Sequence, residues 1–192
     1  MGRSSRADAA RHREEVVAST AKLLRGQGSS VSVQDVMATA GMTHGGFYKH
    51  FGSKDELMGI AATAAFDELV ARLTKILADF PDRSAARDEL IVTYLSTDHR
   101  DNPSTGCATT ALAGDAARSA ETSPLRESYV DGLTKVIALM SEYEDADGDT
   151  YRSAILDFST MVGALTLARA AGRTALSDDI LRTVRDSLGG QS

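Results

Sequence analysis

Apolar positions recur with helical spacing along nearly the whole chain. Val33, Val36, Met37 and Ala40 fall at i, i+3, i+4 and i+7, one face of a short helix. Phe47 and Phe51 repeat at i, i+4 just beyond it. Upstream, Val17, Ala21 and Leu24 predict a first helix over about Ala7–Arg25, ended by Gly26 and Gly28. Downstream, Ala62, Phe66, Leu69, Leu73 and Leu77 predict a long helix from Ser53 to about Phe80, where Pro81 stops it. Leu90, Ile91, Tyr94 and Leu95 mark another, capped by Asp82 or Ser84 and ending near Thr97. Ala108 to about Arg118 follows. A helix to about Tyr143 then turns Leu133, Val136, Ile137 and Met140 inward. Ile155, Phe158, Met161, Val162, Leu165 and Ala168 make a helix of about Thr150–Gly172 apolar on several sides, which calls for more than one neighbour. Ser177–Leu188 closes the chain. No run alternates apolar and polar residues convincingly, so the pattern predicts an all-α fold of about nine helices.

The residues between the stripes punctuate them. Ser32 precedes Val33 with Asp35 three positions on, an N-cap with an acidic first turn. Gly41 supplies a stop by taking the left-handed conformation cheaply. Thr43 caps the next helix, and Ser53-x-x-Glu56 reads as a capping box. Ser123-Pro124 is a further start signal. Asp98–Gly106, DHRDNPSTG, has the composition of a loop. The acidic run Glu142–Thr150 has Asp145-x-Asp147-x-Asp149 in calcium-loop spacing. Thr150 at the sixth position and Leu156 at the twelfth break that pattern, so it reads as a solvated turn.

Helix, glycine turn, helix is the helix-turn-helix arrangement, whose second helix enters a DNA major groove. The second helix here suits that use. From Thr43 through Lys54 there is no carboxylate, whereas an ordinary solvated face mixes signs. Gly45 and Gly46 each cost roughly 1 kcal/mol against Ala in a helix, and glycine suits close backbone approach to another surface. Thr43, His44 and Gln34 are the candidates for base readout. Ser32, Tyr48, Lys49, His50 and Lys54 are the candidates for phosphate, with Gly45 admitting the close approach. Arg3 and Arg6 in the N-terminal tail could reach phosphates, though a solvated tail explains them as well.

The run AGMTHGGFYKHFGSKDEL resembles the signature of the TetR/AcrR-type transcriptional regulators. Ala40, Gly41, Met42, Tyr48, His50, Phe51, Lys54, Asp55, Glu56 and Leu57 carry the match. The resemblance implies a three-helix DNA-binding domain over 1–54 and a helical ligand-binding and dimerisation domain over 55–192. It implies that the helix starting near Ser53 links the two and transmits movement. It further implies a homodimer built from the last two long helices, a double-stranded operator with an inverted repeat, and a small-molecule effector whose identity is unknown.

Charge supports a division of labour. The net charge is −6, but residues 1–54 carry eight Lys/Arg against four Asp/Glu, a net +4. The remainder carries thirteen against twenty-three, a net −10. No leader segment and no run of about 18 uncharged apolar residues stands out, and Arg152, Asp157 and Arg169 interrupt the most apolar helix. The expectation is a soluble, cytoplasmic protein with no membrane partner. A single cysteine excludes an intrachain disulfide framework. Four histidines and one cysteine give no metal-ligand spacing, no phosphate loop or nucleophile motif appears, and no cofactor, metal or catalytic residue is expected.

Cys107 is the remaining candidate for chemistry. At a predicted helix start it meets the positive end of the helix dipole, which favours thiolate; as a buried small hydrophobe it would be inert. The stretch GCATTALAGDAAR resembles a subgroup with Gly-Cys at this helix start, some of which sense reactive species, though Ala follows the cysteine here. A thiol-dependent sensor or enzyme-like role through Cys107 is thus the alternative to an ordinary effector. Such an effector would lie among Phe66, Tyr94, Cys107, Leu133, Ile137, Phe158 and Met161, with Leu69 and Met140 as further walls.

Overall fold

The computed structural model describes residues 6–41, 43–143 and 149–190, without the side chains of Arg6, Ala7 and His44. Among them it holds ten α-helices: α1 Arg6–Gln27, α2 Val33–Ala40, α3 His44–His50, α4 Lys54–Asp79, α5 Arg83–Tyr94, α6 Thr97–Asp101, α7 Ala108–Arg118, α8 Pro124–Met140, α9 Thr150–Ala171 and α10 Ala175–Gly189. Short 3₁₀ turns occupy Gly28–Ser30, Pro103–Thr105 and Ser141–Tyr143. The tenth helix corrects the sequence reading, because α6 and the turn at Pro103–Thr105 fall inside the segment expected as loop. The Ser96 side chain caps α6 by accepting from the His99 amide, so the breaking residues mark its end instead of a loop throughout. The helix expected to run to Tyr143 likewise ends at Met140 and tightens into the 3₁₀ turn. The tail arginines Arg3 and Arg6 and most of the acidic run (144–148) lie outside the described side chains.

In α1–α3, local chemistry fixes each boundary. The reciprocal capping box sits at Ser32 and Asp35: the Asp35 amide donates to Ser32 Oγ at 3.1 Å, and the Ser32 amide donates to Asp35 at 2.8 Å. Gly41 takes φ +63°, the conformation expected of the turn. At Ser53 only half of the expected box forms. Ser53 Oγ accepts from the Glu56 amide, but Glu56 reaches back to the Gly52 amide at 2.7 Å, one residue early. Val16, Ala21, Leu24, Val36, Phe47 and Phe51 bury themselves between the three helices. Val16, rather than the expected Val17, is the fully buried one.

Helix α4 packs against α1 at its start and along α8 through most of its length. Its inward stripe of Leu57, Met58, Ala61, Ala62, Ala65, Phe66, Leu69 and Leu73 is buried; Leu77, expected to share it, is only partly covered. Gly132 on α8 lies against the Phe66 ring, and Gly59 on α4 against Pro124. Tyr143 donates to the Leu73 carbonyl and ties the end of α8 to α4. α9 is long and apolar enough, by length and composition alone, to cross a membrane. It packs instead on α8 and α10, and its Asp157 pairs with Arg87 of α5. Arg100 is buried and donates to Ser177 at 3.0 Å and to Asp178 at 2.6 Å, which seats α6 on α10.

The first three helices are fastened to the rest by polar contacts as well. Arg25 Nε donates to the Ser104 carbonyl at 2.8 Å, and Arg25 Nη1 stands 2.7 Å from Glu68 of α4, off the line of a good hydrogen bond. Gly28, at φ +74°, lets the Ser29 amide reach Asp115 of α7 at 2.7 Å. Lys54 donates to the Ser29 carbonyl at 3.0 Å.

The tightest packing test lies at Gly132. A Cβ there would come within 2.2 Å of the Phe66 ring, so Gly132→Ala overpacks the α4–α8 seam and should cost about 1–3 kcal/mol despite its better helix propensity. Denaturant unfolding of the two proteins checks this; an unchanged or raised midpoint would contradict the packing.

Candidate functional site

Helix α3 is seven residues long, too short to hold itself in water. Thr43 caps its start by accepting from the Gly46 amide at 3.3 Å, while Phe47 and Phe51 anchor its inner side. The rest of the helix faces outward. Tyr48 is 55% exposed, its ring edge-on to Phe47. Thr43, Gly45 and Lys49 are exposed, and a Cβ on Gly45 would meet nothing within 4 Å. His44 opens the helix, its side chain undescribed. Gln34 is exposed on α2.

Three of the phosphate candidates have other engagements. The Ser32 hydroxyl and amide both belong to the cap with Asp35, whose carboxyl is held below its ordinary value chiefly by that hydroxyl. His50 is half-buried, its ring 6.0 Å from that of His12 on α1. Lys54 gives one of its three donors to Ser29 and keeps two. Arg13 of α1 lies 5.1 Å above the Phe51 ring, a cation beside the end of α3. The sequence reading counted Arg13 only in the net charge, because no local spacing links it to α3.

A half-open pocket of about 240 Å³ lies between α4, α5, α6 and the 103–106 segment. Of the expected lining residues only Leu69 and Tyr94 face it. Phe66, Ile137, Phe158 and Met161 are buried core instead, and Leu133 is packed against that core. α6 closes one side of this space, and the sequence reading had no helix there. A larger space of about 500 Å³ is an open groove along the outer face of α1, without convergent charged groups of one sign.

Cys107 is fully buried at the start of α7, behind this pocket. Its amide donates to His99 Nε2 at 3.0 Å, so His99 Nδ1 carries the proton and donates to the Tyr94 carbonyl at 2.8 Å. Burial, with the nearby Arg169 and Arg72 guanidiniums opposing a further positive charge, lowers the His99 pKa to about 4. Tyr94 is held well above the usual phenol range, first by burial and then by the neighbouring Cys107. Its hydroxyl lies 3.1 Å from Thr110 Oγ1. Arg169 donates to the His99 and Arg100 carbonyls.

Comparison with known proteins agrees with this architecture. Residues 16–59, the helix-turn-helix and the first turns of α4, match the family model described as bacterial regulatory proteins, tetR family. No curated protein sequence matches the chain. Solved structures with the same fold include a TetR transcriptional regulator from Chloroflexus aurantiacus (TM-score 0.79, 23% identity, 96% of this chain and 95% of that one). Escherichia coli NemR in its reduced form is similar at TM-score 0.76, 21% identity and coverage of 93% and 95%. Bacillus subtilis FadR in complex with stearoyl-CoA is similar at TM-score 0.68, 12% identity and coverage of 93% and 98%. Residues 16–59 thus resemble the tetR family in sequence, and the chain as a whole shares its fold with these solved regulators.

The buried His99 makes stability fall with acid. Its pKa in the folded chain, about 4, lies below the ordinary 6.5, so the unfolded chain takes up the proton first. The contribution is intact above pH 6.5 and is lost progressively as pH falls through 4. His99→Gln should flatten the decline between pH 6.5 and 4.5, read as the urea midpoint at each pH; parallel curves for the two proteins would refute it.

Proposed function

We propose that the chain is a transcriptional repressor that binds an inverted-repeat operator as a homodimer and is released by a small molecule. The observation that carries the reading is α3: a capped, outward-facing, carboxylate-free helix inside the segment that matches the tetR family model. On this reading residues 1–54 form the DNA-binding unit and residues 55–192 the ligand and dimer unit, working in the cytoplasm. Thr43, His44 and Gln34 read base edges. Tyr48, Lys49, His50 and the remaining donors of Lys54 hold phosphates, and Gly45 allows the backbone to come close.

Dimerisation rests on α9 and α10. Leu156, Leu167 and Leu176 are 65%, 60% and 63% exposed, and Gly163 between the first two has open space above it. Apolar side chains grouped this way mark an interaction surface. A pair of chains would set two α3 helices about one duplex turn apart, as a palindromic site requires. Release by a small molecule is supported by the half-open pocket and by the FadR neighbour, solved with stearoyl-CoA. The NemR neighbour, solved in a reduced form, supports release by an oxidant or electrophile at Cys107 as the second reading; full burial of Cys107 weighs against it.

Selection of bound sequences from random duplex DNA is the direct test, and an inverted repeat is the expected result. Tyr48→Ala and Lys49→Ala should weaken binding to every sequence, and Lys49→Ala should lower the salt slope by about one. Thr43→Ala should alter sequence preference, with Thr43→Ser as the control that keeps the cap. Equal loss on all sequences for Thr43→Ala would remove its readout role. Leu156→Glu with Leu167→Glu should give a monomer by sedimentation and cost operator affinity; a dimer that survives both would put the interface elsewhere.

A further inference from the structure

The half-open pocket beside α6 and the turn next to it share one side chain. Leu69, Leu73 and Ile76 of α4 with Leu90 of α5 make an apolar wall, and Arg72, Asp98 and Asn102 stand at the polar end. At ~30 Å³ per water, the space holds roughly eight waters, so its occupant is small. Arg72 donates to the Thr105 carbonyl at 2.7 Å and to the Gly106 carbonyl at 3.1 Å, two of its five N–H donors. Glu68 stands against Arg25, and Asp98 accepts from the Asn102 side-chain amide at 3.0 Å. Arg72 is the cation and Asp98 the carboxylate among the residues lining the pocket. Arg25 and Arg169 lie outside the lining but near enough to act on Arg72 and on His99 respectively.

The same turn holds the DNA-binding unit. Immediately before the two residues that Arg72 grips, Ser104 gives its carbonyl to Arg25 of α1, and a Cβ on Gly26 would sit 3.5 Å from the Ser104 side chain. A carboxylate is a stronger acceptor for a guanidinium than a peptide carbonyl, by roughly twofold in hydrogen-bond strength.

We propose that this pocket binds a small monocarboxylate with a short apolar body, and that binding loosens the 103–106 turn on which α1 rests. The carboxylate sits on Arg72, the body lies against Leu69, Leu73, Ile76 and Leu90, and Arg72 gives up the Thr105 and Gly106 carbonyls to hold it. Arg25 is the positioning residue that carries the change into α1. The relay rests on the DNA-binding reading above; the ligand class does not.

Calorimetry on the full chain with hexanoate and benzoate, against hexanamide and benzamide, tests the ligand class. The acids should bind at least about tenfold more tightly than the amides, and Arg72→Gln should erase the difference while Arg72→Lys keeps part of it. Acids and amides of equal affinity, no acid binding at roughly 10 mM, or full acid binding by Arg72→Gln each overturn it. For the relay, hexanoate should weaken binding of the wild-type protein to its selected duplex by about tenfold or more. Arg25→Gln should bind hexanoate as the wild type does, with a duplex affinity that no longer responds. A response that survives in Arg25→Gln overturns the relay. Should that variant not fold, hydrogen exchange of the wild type decides: hexanoate must speed exchange at residues 104–106 and in the last turn of α1, and unchanged exchange overturns the relay. A wild-type protein that binds no duplex defeats the repressor reading alone, because the calorimetry needs no DNA.

Discussion

Burial of one face of α4 is the constraint on which the rest of the structure depends. The same helix closes the core under α1–α3 with Leu57, Ala61 and Ala62, fills the seam with α8 through Phe66, and turns Leu69 and Leu73 toward the pocket beside α5 and α6. Neither half has another element of comparable reach. Gly132 exists in that seam because the Phe66 ring occupies the space where a side chain would begin. Close packing of this kind does not deform continuously.

Around that helix the polar contacts are few and placed at joints. Arg25 meets Ser104 and Glu68, the Ser29 amide meets Asp115, and Lys54 at the start of α4 donates to the Ser29 carbonyl, where the first three helices lean on the remainder. Arg100 and Arg169 fasten the α6 region to α9 and α10. These guanidiniums hold backbone carbonyls as often as carboxylates. A carbonyl moves only with its chain, so such bonds fix the path of the segment at 97–106 more firmly than surface ion pairs would. His99 fits the same logic, a neutral ring spanning two backbone groups in a place where charge would be costly.

Much of this was legible in the sequence, and the reasons differ by region. The helix-turn-helix was readable because its signals are local: Ser32 with Asp35, Gly41, Thr43 and the Phe47–Phe51 pair each act within four residues. The long stripe of α4 was readable from periodicity alone. α6 was hidden because five residues are too few to show a period, and Asn102, Pro103 and Gly106 drew the eye to a break. The open space beside α6 was hidden for that same reason, since Phe158 and Met161 are as apolar as any wall and only that helix bounds the space on its side. The docking of Arg25 on Ser104 spans 79 residues and leaves no local trace.

The brevity of α3 has one more consequence. Seven residues with two glycines have no helical order of their own, so the shape that would meet a duplex on the proposed reading is lent to them by Phe47 and Phe51 from below. On that reading the head is cast before any nucleic acid arrives, and engagement forfeits little chain entropy. By the same dependence, a slackened floor beneath those two rings would blunt discrimination between sequences while leaving every outward-facing donor in place.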